Sequence, residues 1–297
     1  MKYSSALILI GIVLASLSAG CEEAVSPNLG SERPFTLWGV LNAKTGVHSI
    51  RVFTIDDELR VLENEPIQAT VTSQNLESGE TRVWTDSTIA LDGGHARHVF
   101  WDRFPIAAGE SYRIEATSSD GRTSWAEATV PGPIALQVLE PNPQLVNNTE
   151  QIVHVVGDPP ALPRIDLAYR VVGFLADGTR ETVYRLTISY GGRPVKRLEG
   201  WDIPIDFAED YHEIWRSMED QGVPNDFIEL YDLELRVHVG DASWNSPHSD
   251  FDPEYLVEPG VFSNVVNGFG YVGAGYVETI SWRPPEYLLA RAGFDAD

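Results

Sequence analysis

The sequence predicts a mainly β protein: an N-terminal immunoglobulin-like β-sandwich followed by a second β-rich, sandwich-like domain that carries one amphipathic helix. Three observations lead there: short segments alternate apolar and polar residues with period two, turn residues separate them at close intervals, and only one stretch shows a helical stripe. Phe35-Thr36-Leu37-Trp38-Gly39-Val40-Leu41 and Ser49-Ile50-Arg51-Val52-Phe53-Thr54-Ile55 are rich in strand formers, and Lys44-Thr45-Gly46 turns between them. Ile67, Ala69 and Val71 face inward while Gln68, Thr70 and Thr72 face outward; Tyr112, Ile114 and Ala116 alternate with Arg113, Glu115 and Thr117 in the same way. Asp120-Gly121 then turns the chain into a strand over 125–130. About seven short strands without a helical period over some 100 residues describe the sandwich. The chain holds a single cysteine, so the architecture is expected without the disulfide of antibody domains.

Pro131-Gly132-Pro133 and Pro141-Asn142-Pro143 set the module boundary, which divides the fold into 35–131 and 132–297. Strands are expected over 151–156, 167–175, 181–190 and 231–239. In the last, Tyr231, Leu233, Leu235, Val237 and Val239 share one face, and Asp232, Glu234, Arg236 and His238 share the other. A strand buried on both faces would not carry that second set, so one face is expected to meet solvent. The helix is predicted over 207–221. Asp206 and Glu209 form a capping box, and Phe207, Tyr211, Ile214, Trp215 and Met218 make one apolar stripe. Gly222 caps its end and Pro224 stops any continuation.

The N-terminus has a different character. Met1-Lys2 precedes an apolar run from Ala6 to Leu17, and small residues follow in Leu17-Ser18-Ala19-Gly20-Cys21. These are the parts of a secretion signal, residues 1–20, and the run is shorter than the ~20 apolar residues that a bilayer span needs. The end of the run resembles the lipobox of bacterial lipoproteins, with Ser18 where that motif usually has Leu. Cys21, the only cysteine, is therefore expected to carry a lipid anchor. Each buried CH₂ contributes about 0.8 kcal/mol, and several acyl chains together hold durably. Glu22-Glu23 resembles the acidic signal that sends lipoproteins to the outer membrane, on its periplasmic or cell-surface side. Residues 21–34, with Ser26-Pro27-Asn28, Gly30-Ser31 and Pro34, read as a flexible tether.

A formal net charge of −23 argues against nucleic acid and against docking on anionic headgroups, since both need Lys/Arg patches. Gly268-Phe269-Gly270-Tyr271-Val272-Gly273 fits G-x-G-x-x-G, but strand formers follow it where a dinucleotide site needs a helix. The expected alternative is a glycine-rich strand with another backbone or an aromatic ring packed close, and no cofactor is expected. His212-Glu213 lacks the second histidine of a zinc helix, because position 216 is Arg216. Asp250-Phe251-Asp252-Pro253-Glu254 alternates acids as calcium loops do, but Pro253 and Tyr255 replace the tight-turn residues. No metal is expected, and a weak calcium contact at Asp250, Asp252 and Glu254 stays open. There is no G-x-S-x-G elbow, so no catalytic residue is assigned. Trp201, Trp215 and Trp244 fall outside the cleanest strands and are the candidate ligand-binding rings.

Taken in order, Cys21, the 35–42 stretch Phe35-Thr36-Leu37-Trp38-Gly39-Val40-Leu41-Asn42, Ile50-Arg51-Val52, Gly109-Glu110-Ser111-Tyr112, Thr129-Val130-Pro131 and Phe262-Ser263-Asn264-Val265 leading into Gly268 and Gly270 resemble the domain of unknown function 4249 lipoproteins. The resemblance implies an outer-membrane lipoprotein in the company of a TonB-dependent transporter, with no catalytic residues to carry over. The expectation is a non-enzymatic binding or accessory subunit. The alternative is an extracytoplasmic glycan or peptide hydrolase that uses a carboxylate pair, since the chain's 44 acids guarantee many pairs.

Overall fold

A computed structural model describes residues 33–55, 67–90, 96–142, 144–145, 147–177, 180–244 and 263–295. Cys21, the tether up to residue 32, and the acids at Asp250, Asp252 and Glu254 lie outside the described residues.

The first half contributes β1 (Phe35–Asn42), β2 (Val47–Thr54), β3 (Ala69–Asn75), β4 (Thr81–Val83), β5 (Thr85–Ala90), β6 (Ala96–Arg103), β7 (Ser111–Ser118) and β8 (Thr123–Thr129). The second contributes β9 (Ala135–Val138), β10 (Glu150–Val156), β11 (Ala161–Phe174), β12 (Arg180–Ser189), β13 (Val195–Arg197), β14 (Gly200–Asp206), α1 (Phe207–Asp220), β15 (Phe227–Gly240), β16 (Gly268–Trp282) and α2 (Glu286–Ala292). One eight-stranded sheet has the order β12-β11-β15-β16-β1-β2-β6-β5, and two four-stranded sheets have the orders β13-β14-β10-β9 and β4-β3-β7-β8.

The predicted sandwich is present in the first half. The run β1-β2-β6-β5 corresponds to immunoglobulin strands A-B-E-D, and β4-β3-β7-β8 corresponds to C′-C-F-G. Alternation built it: Leu37, Leu41, Ile50 and Val52 from one sheet meet Val71, Ile114, Ala116 and Ala126 from the other, all fully buried. Each large aliphatic side chain so buried contributes about 1.5–3 kcal/mol. Trp84 fills the same core and donates its Nε1–H to Ser73 Oγ at 2.9 Å, which spares it an unpaired polar atom.

The strand β16 joins the halves. It pairs in parallel with β1 and antiparallel with β15, so the large sheet runs through both modules. This is the glycine-rich segment, and it is a strand with another backbone packed close. A Cβ at Gly268 would lie 2.5 Å from Phe35 O, and one at Gly275 would lie 2.3 Å from Val239 O. Val130 packs in the first core and Ile134 against the second. Val265, Val272 and Ala274 nevertheless complete the first core from the far end of the chain. Tyr276 holds the connection between the modules by donating its hydroxyl to Gly132 O (2.7 Å) and accepting from Ile134 N (2.9 Å). Asn264, from the motif behind the family resemblance, acts as a substitute strand. Its amide donates to Val272 O (2.7 Å) and its oxygen accepts from Val272 N (3.0 Å).

The helix α1 starts and stops as its sequence dictates. Asp206 Oδ1 accepts from Ala208 N at 3.0 Å and from Glu209 N at 3.4 Å. Glu209 does not close the box from its side; its carboxylate pairs with Arg193 at 3.2 Å. At the other end Val223 N donates to Met218 O (2.9 Å) and Gly222 N, at φ +66°, donates to Glu219 O (3.0 Å), the two bonds of a Schellman motif. Removing the cap with Asp206→Ala is expected to lower stability by about 1 kcal/mol in urea unfolding.

Three expectations are corrected. Trp215 is 38% exposed on α1, and the buried line of the helix runs through Phe207, Asp210, Ile214 and Met218. Tyr231 does not share the core face of β15, because the register against β11 shifts between Arg170 and Val171. That bulge leaves Leu230 and Leu233 buried and turns Tyr231 outward, 49% exposed. A second helix, α2, was not foreseen. Its seven residues are too few to show a stripe, though Pro285 before it and Gly293 at φ +110° after it are the ordinary punctuation of a short helix.

Candidate functional site: a charged groove on the large sheet

The half of the large sheet formed by β12, β11, β15 and β16 packs one face on the second core and leaves the other open. The antiparallel registers stack the outward residues into rows. One row is Arg185, Arg170 and Asp232; the next is Thr187, Ala168, Glu234 and Ser281; the third is Ser189, Asp166, Arg236 and Thr279. The middle row is mostly small, and the outer rows carry the charges of Arg185, Arg170, Asp232, Asp166 and Arg236. The result is a groove of about 390 Å³, floored around Ala168, Thr187 and Ser281 and flanked by Arg170, Arg185, Asp232, Glu234 and Arg236. That volume lies within the ~300–1,000 Å³ range of small-molecule sites.

The bulge in β15 positions the centre of this groove. It places Tyr231 so that the Arg170 guanidinium lies 4.1 Å from the ring centroid, and Asp232 accepts from the same guanidinium. Arg170 is thus held from two sides, while its Nε is buried without a partner. Arg236 Nε is held by Glu234 at 2.6 Å. Arg185 stands directly across from Arg170 and makes no ion pair or hydrogen bond among the described residues. Beyond the third row, Arg164 Nε pairs with Asp166 Oδ2 at 2.7 Å, and His238 Nε2 lies 4.0 Å from the same oxygen. Asp166 Oδ1 is buried with no partner. Burial pushes the His238 imidazole below its ordinary pKa, and the nearby Asp166 carboxylate only partly opposes this.

Two enclosed carboxylates have a raised pKa. Asp210 reaches from α1 into the second core, where Tyr169 and Tyr190 both donate to its Oδ2. Desolvation raises its pKa to about 6, against the lowering effect of the two tyrosines and of Arg193. Burial and the carboxylate together raise both tyrosines above their usual range. Asp241 ends β15 and accepts from Ala274 N (2.7 Å), Ser243 N (2.9 Å) and Tyr271 Oη (3.3 Å). Its pKa is raised by burial, and its bonds stitch β15 to β16.

The three candidate tryptophans sit on separate elements with different neighbours. Trp201, on β14, packs against the second core under the Lys196 ammonium (5.3 Å), and its Nε1 is buried without a partner. Trp215 faces outward on α1, and its carbonyl accepts from Asn225 Nδ2 at 3.1 Å. Trp244 follows β15 and meets Tyr271 edge-on at 5.3 Å. None of the three lines the groove. Among the described residues no group of three or more His, Cys, Asp or Glu is placed to hold a metal ion, and no helix is long and apolar enough to cross a membrane.

Sequence reasoning found the strands of the groove and the charged face of β15 but not the groove itself. Arg170 and Arg185 are 15 positions apart, and only the β11–β12 register makes them neighbours. The available signal was a set of arginines at outward positions of three strands in a strongly acidic chain.

Fold and groove together define a class: a pair of fused β-sandwiches that share one long sheet and present an open, charged face. No protein-family model matches the sequence, and no curated protein does. Among solved structures the chain is similar in part to a pullulanase from Anoxybacillus sp. LM18-11, at 10% identity over 69% of this chain and 24% of that one, with a TM-score of 0.21. It is similar likewise to Salmonella α-2-macroglobulin reacted with methylamine, at 11% identity over 85% of this chain and 14% of that one, TM-score 0.25. Dimeric latent PorU from Porphyromonas gingivalis gives 16% identity over 72% of this chain and 19% of that one, TM-score 0.20. The chain spans a quarter or less of the length of these proteins, and likeness at this level carries no argument about function.

Proposed function

We propose that the chain is a lipid-anchored, non-enzymatic binding or accessory subunit at the outer membrane, working beside a TonB-dependent transporter. The observation that carries this reading is Leu17-Ser18-Ala19-Gly20-Cys21, with thirteen residues between Cys21 and the first strand at Phe35. At ~3.3–3.6 Å per extended residue, such a segment reaches about 45 Å at most. The fold is then held close to its bilayer yet free to turn. The attachment enters at β1, which lies inside the large sheet with strands on both sides, so a pull on the anchor meets a doubly hydrogen-bonded strand. The carboxylates of the groove also favour binding over hydrolysis. Asp232 and Glu234 each hold an arginine, whereas a hydrolytic acid would need its proton free.

Cys21→Ser is expected to abolish incorporation of labelled palmitate and to move the protein from the membrane fraction to the soluble one. Wild-type protein that stays unlabelled and soluble would falsify the anchor. The partner is tested separately, by affinity purification from gently solubilised membranes. A TonB-dependent transporter is expected in the eluate, and repeated recovery without one removes that half of the proposal.

A further inference from the structure

We infer that the groove over Ala168 binds the carboxylate of an acidic sugar between Arg185 and Arg170. Three features carry this, and none depends on how the chain is held at a membrane. First, Arg185 and Arg170 are directly opposite each other across β11 and β12, a like-charge pair that works against the sheet unless something answers it. Asp232 answers Arg170 alone, and Arg185 has no counter-charge among the described residues. Second, the groove reverses the character of the chain. The protein carries 44 acids against 21 lysines and arginines, yet three arginines and two acids line this groove. The unanswered charge there is positive, and an oxyanion is the ligand that neutralises it. Third, Arg170 is pre-positioned. The Tyr231 ring and the Asp232 carboxylate fix its plane. A planar guanidinium fixed in this way, beside a second that is free to move, matches the fork geometry of a carboxylate.

The rest of the groove argues for a sugar acid over a simple anion. Thr187 and Ser281 place hydroxyls along the floor, and Glu234 places an acceptor beside them. These groups exchange hydrogen bonds with ring hydroxyls, while the two guanidiniums take the carboxylate. Ala168 leaves the space that a ring would fill.

The test is a titration of the full mature chain at fixed ionic strength, followed by the NMR signals of the arginine Nε–H groups. The probes are galacturonate, galactose and inorganic sulfate. Galacturonate is expected to shift the Arg170 and Arg185 signals saturably, and galactose is expected to leave them in place. Sulfate should act more weakly than galacturonate, since it answers the charge but leaves the hydroxyls unused. Arg185→Gln is expected to weaken galacturonate binding by ~10–100-fold, the loss that follows from removing a charge-assisted pair, with an unchanged melting temperature because the side chain is exposed. Arg185→Lys should restore part of the affinity. Arg122→Gln, in the distant β7–β8 turn, should change nothing. Equal response to galactose and galacturonate, an absence of saturation, or full affinity in Arg185→Gln each overturns the assignment. Sulfate binding as tight as galacturonate overturns the sugar acid and leaves an adventitious ion only.

Discussion

Gly270→Ala is expected to lower stability by about 3–5 kcal/mol. Two costs coincide at this position. Its φ of +97° is one that L side chains rarely adopt, and an added Cβ would lie 2.2 Å from Leu37 O. That oxygen belongs to the paired backbone of β1, so relief requires the two central strands to part. Because β16 contributes to both cores, the loss is expected to be shared by both modules. Gly79→Ala separates the two costs. Gly79 also has a positive φ, +74°, but no atom lies within 4 Å of its would-be Cβ. It should cost about 1 kcal/mol, from conformation alone. Urea unfolding of the two variants side by side is the measurement, and equal losses would show that the close approach of β1 and β16 is not the constraint.

The second large effect is a dependence on pH. The Asp210 carboxyl is buried between α1 and the sheet, and its folded pKa is raised to about 6 from 3.8. The folded state therefore holds the proton more tightly than the unfolded chain does. The resulting stabilisation is full below the unfolded value and is lost as the pH rises through about 6, the reverse of a salt-bridged aspartate. A rise of about two units corresponds to about 3 kcal/mol in all, and roughly half of it disappears between pH 5 and 8. Asp210→Asn keeps an oxygen for Tyr169 and Tyr190 to donate to and has nothing to titrate. Its stability relative to wild type is expected to rise by roughly 1–2 kcal/mol from pH 5 to pH 8. Urea midpoints across that range measure the difference and cancel the contribution of the other carboxylates. Parallel curves would show that Asp210 keeps an ordinary pKa in the folded protein.

The sequence was most informative where one physical rule acted alone. Period-two alternation located the strands that carry Val71, Ile114 and Leu235, because a half-buried strand permits no other pattern. The helix was legible down to its last turn, since Asp206 and Gly222 serve backbone groups only a few residues away. Legibility failed where distant parts meet. Tyr231 is apolar enough for the core, and nothing local announces the extra residue that turns it outward; only the register against β11 does so. Asp210 looked like one acid among many on a helix face, and its burial follows from the positions of Tyr169 on β11 and Tyr190 just past β12. The groove was hidden for the same reason. Each of its arginines is an ordinary outward residue, and only the registers of four strands bring them into one place.

The position of β16 has a consequence for biogenesis. The strand that lies beside β1 is made more than 200 residues after it, so until β16 emerges β1 presents a bare hydrogen-bonding edge and the first core lacks Val265, Val272 and Ala274. The first module cannot be completed by its own stretch of chain, and long-range pairing of this kind forms slowly. The first sandwich therefore closes only once β16 has been made, however early its other strands pair.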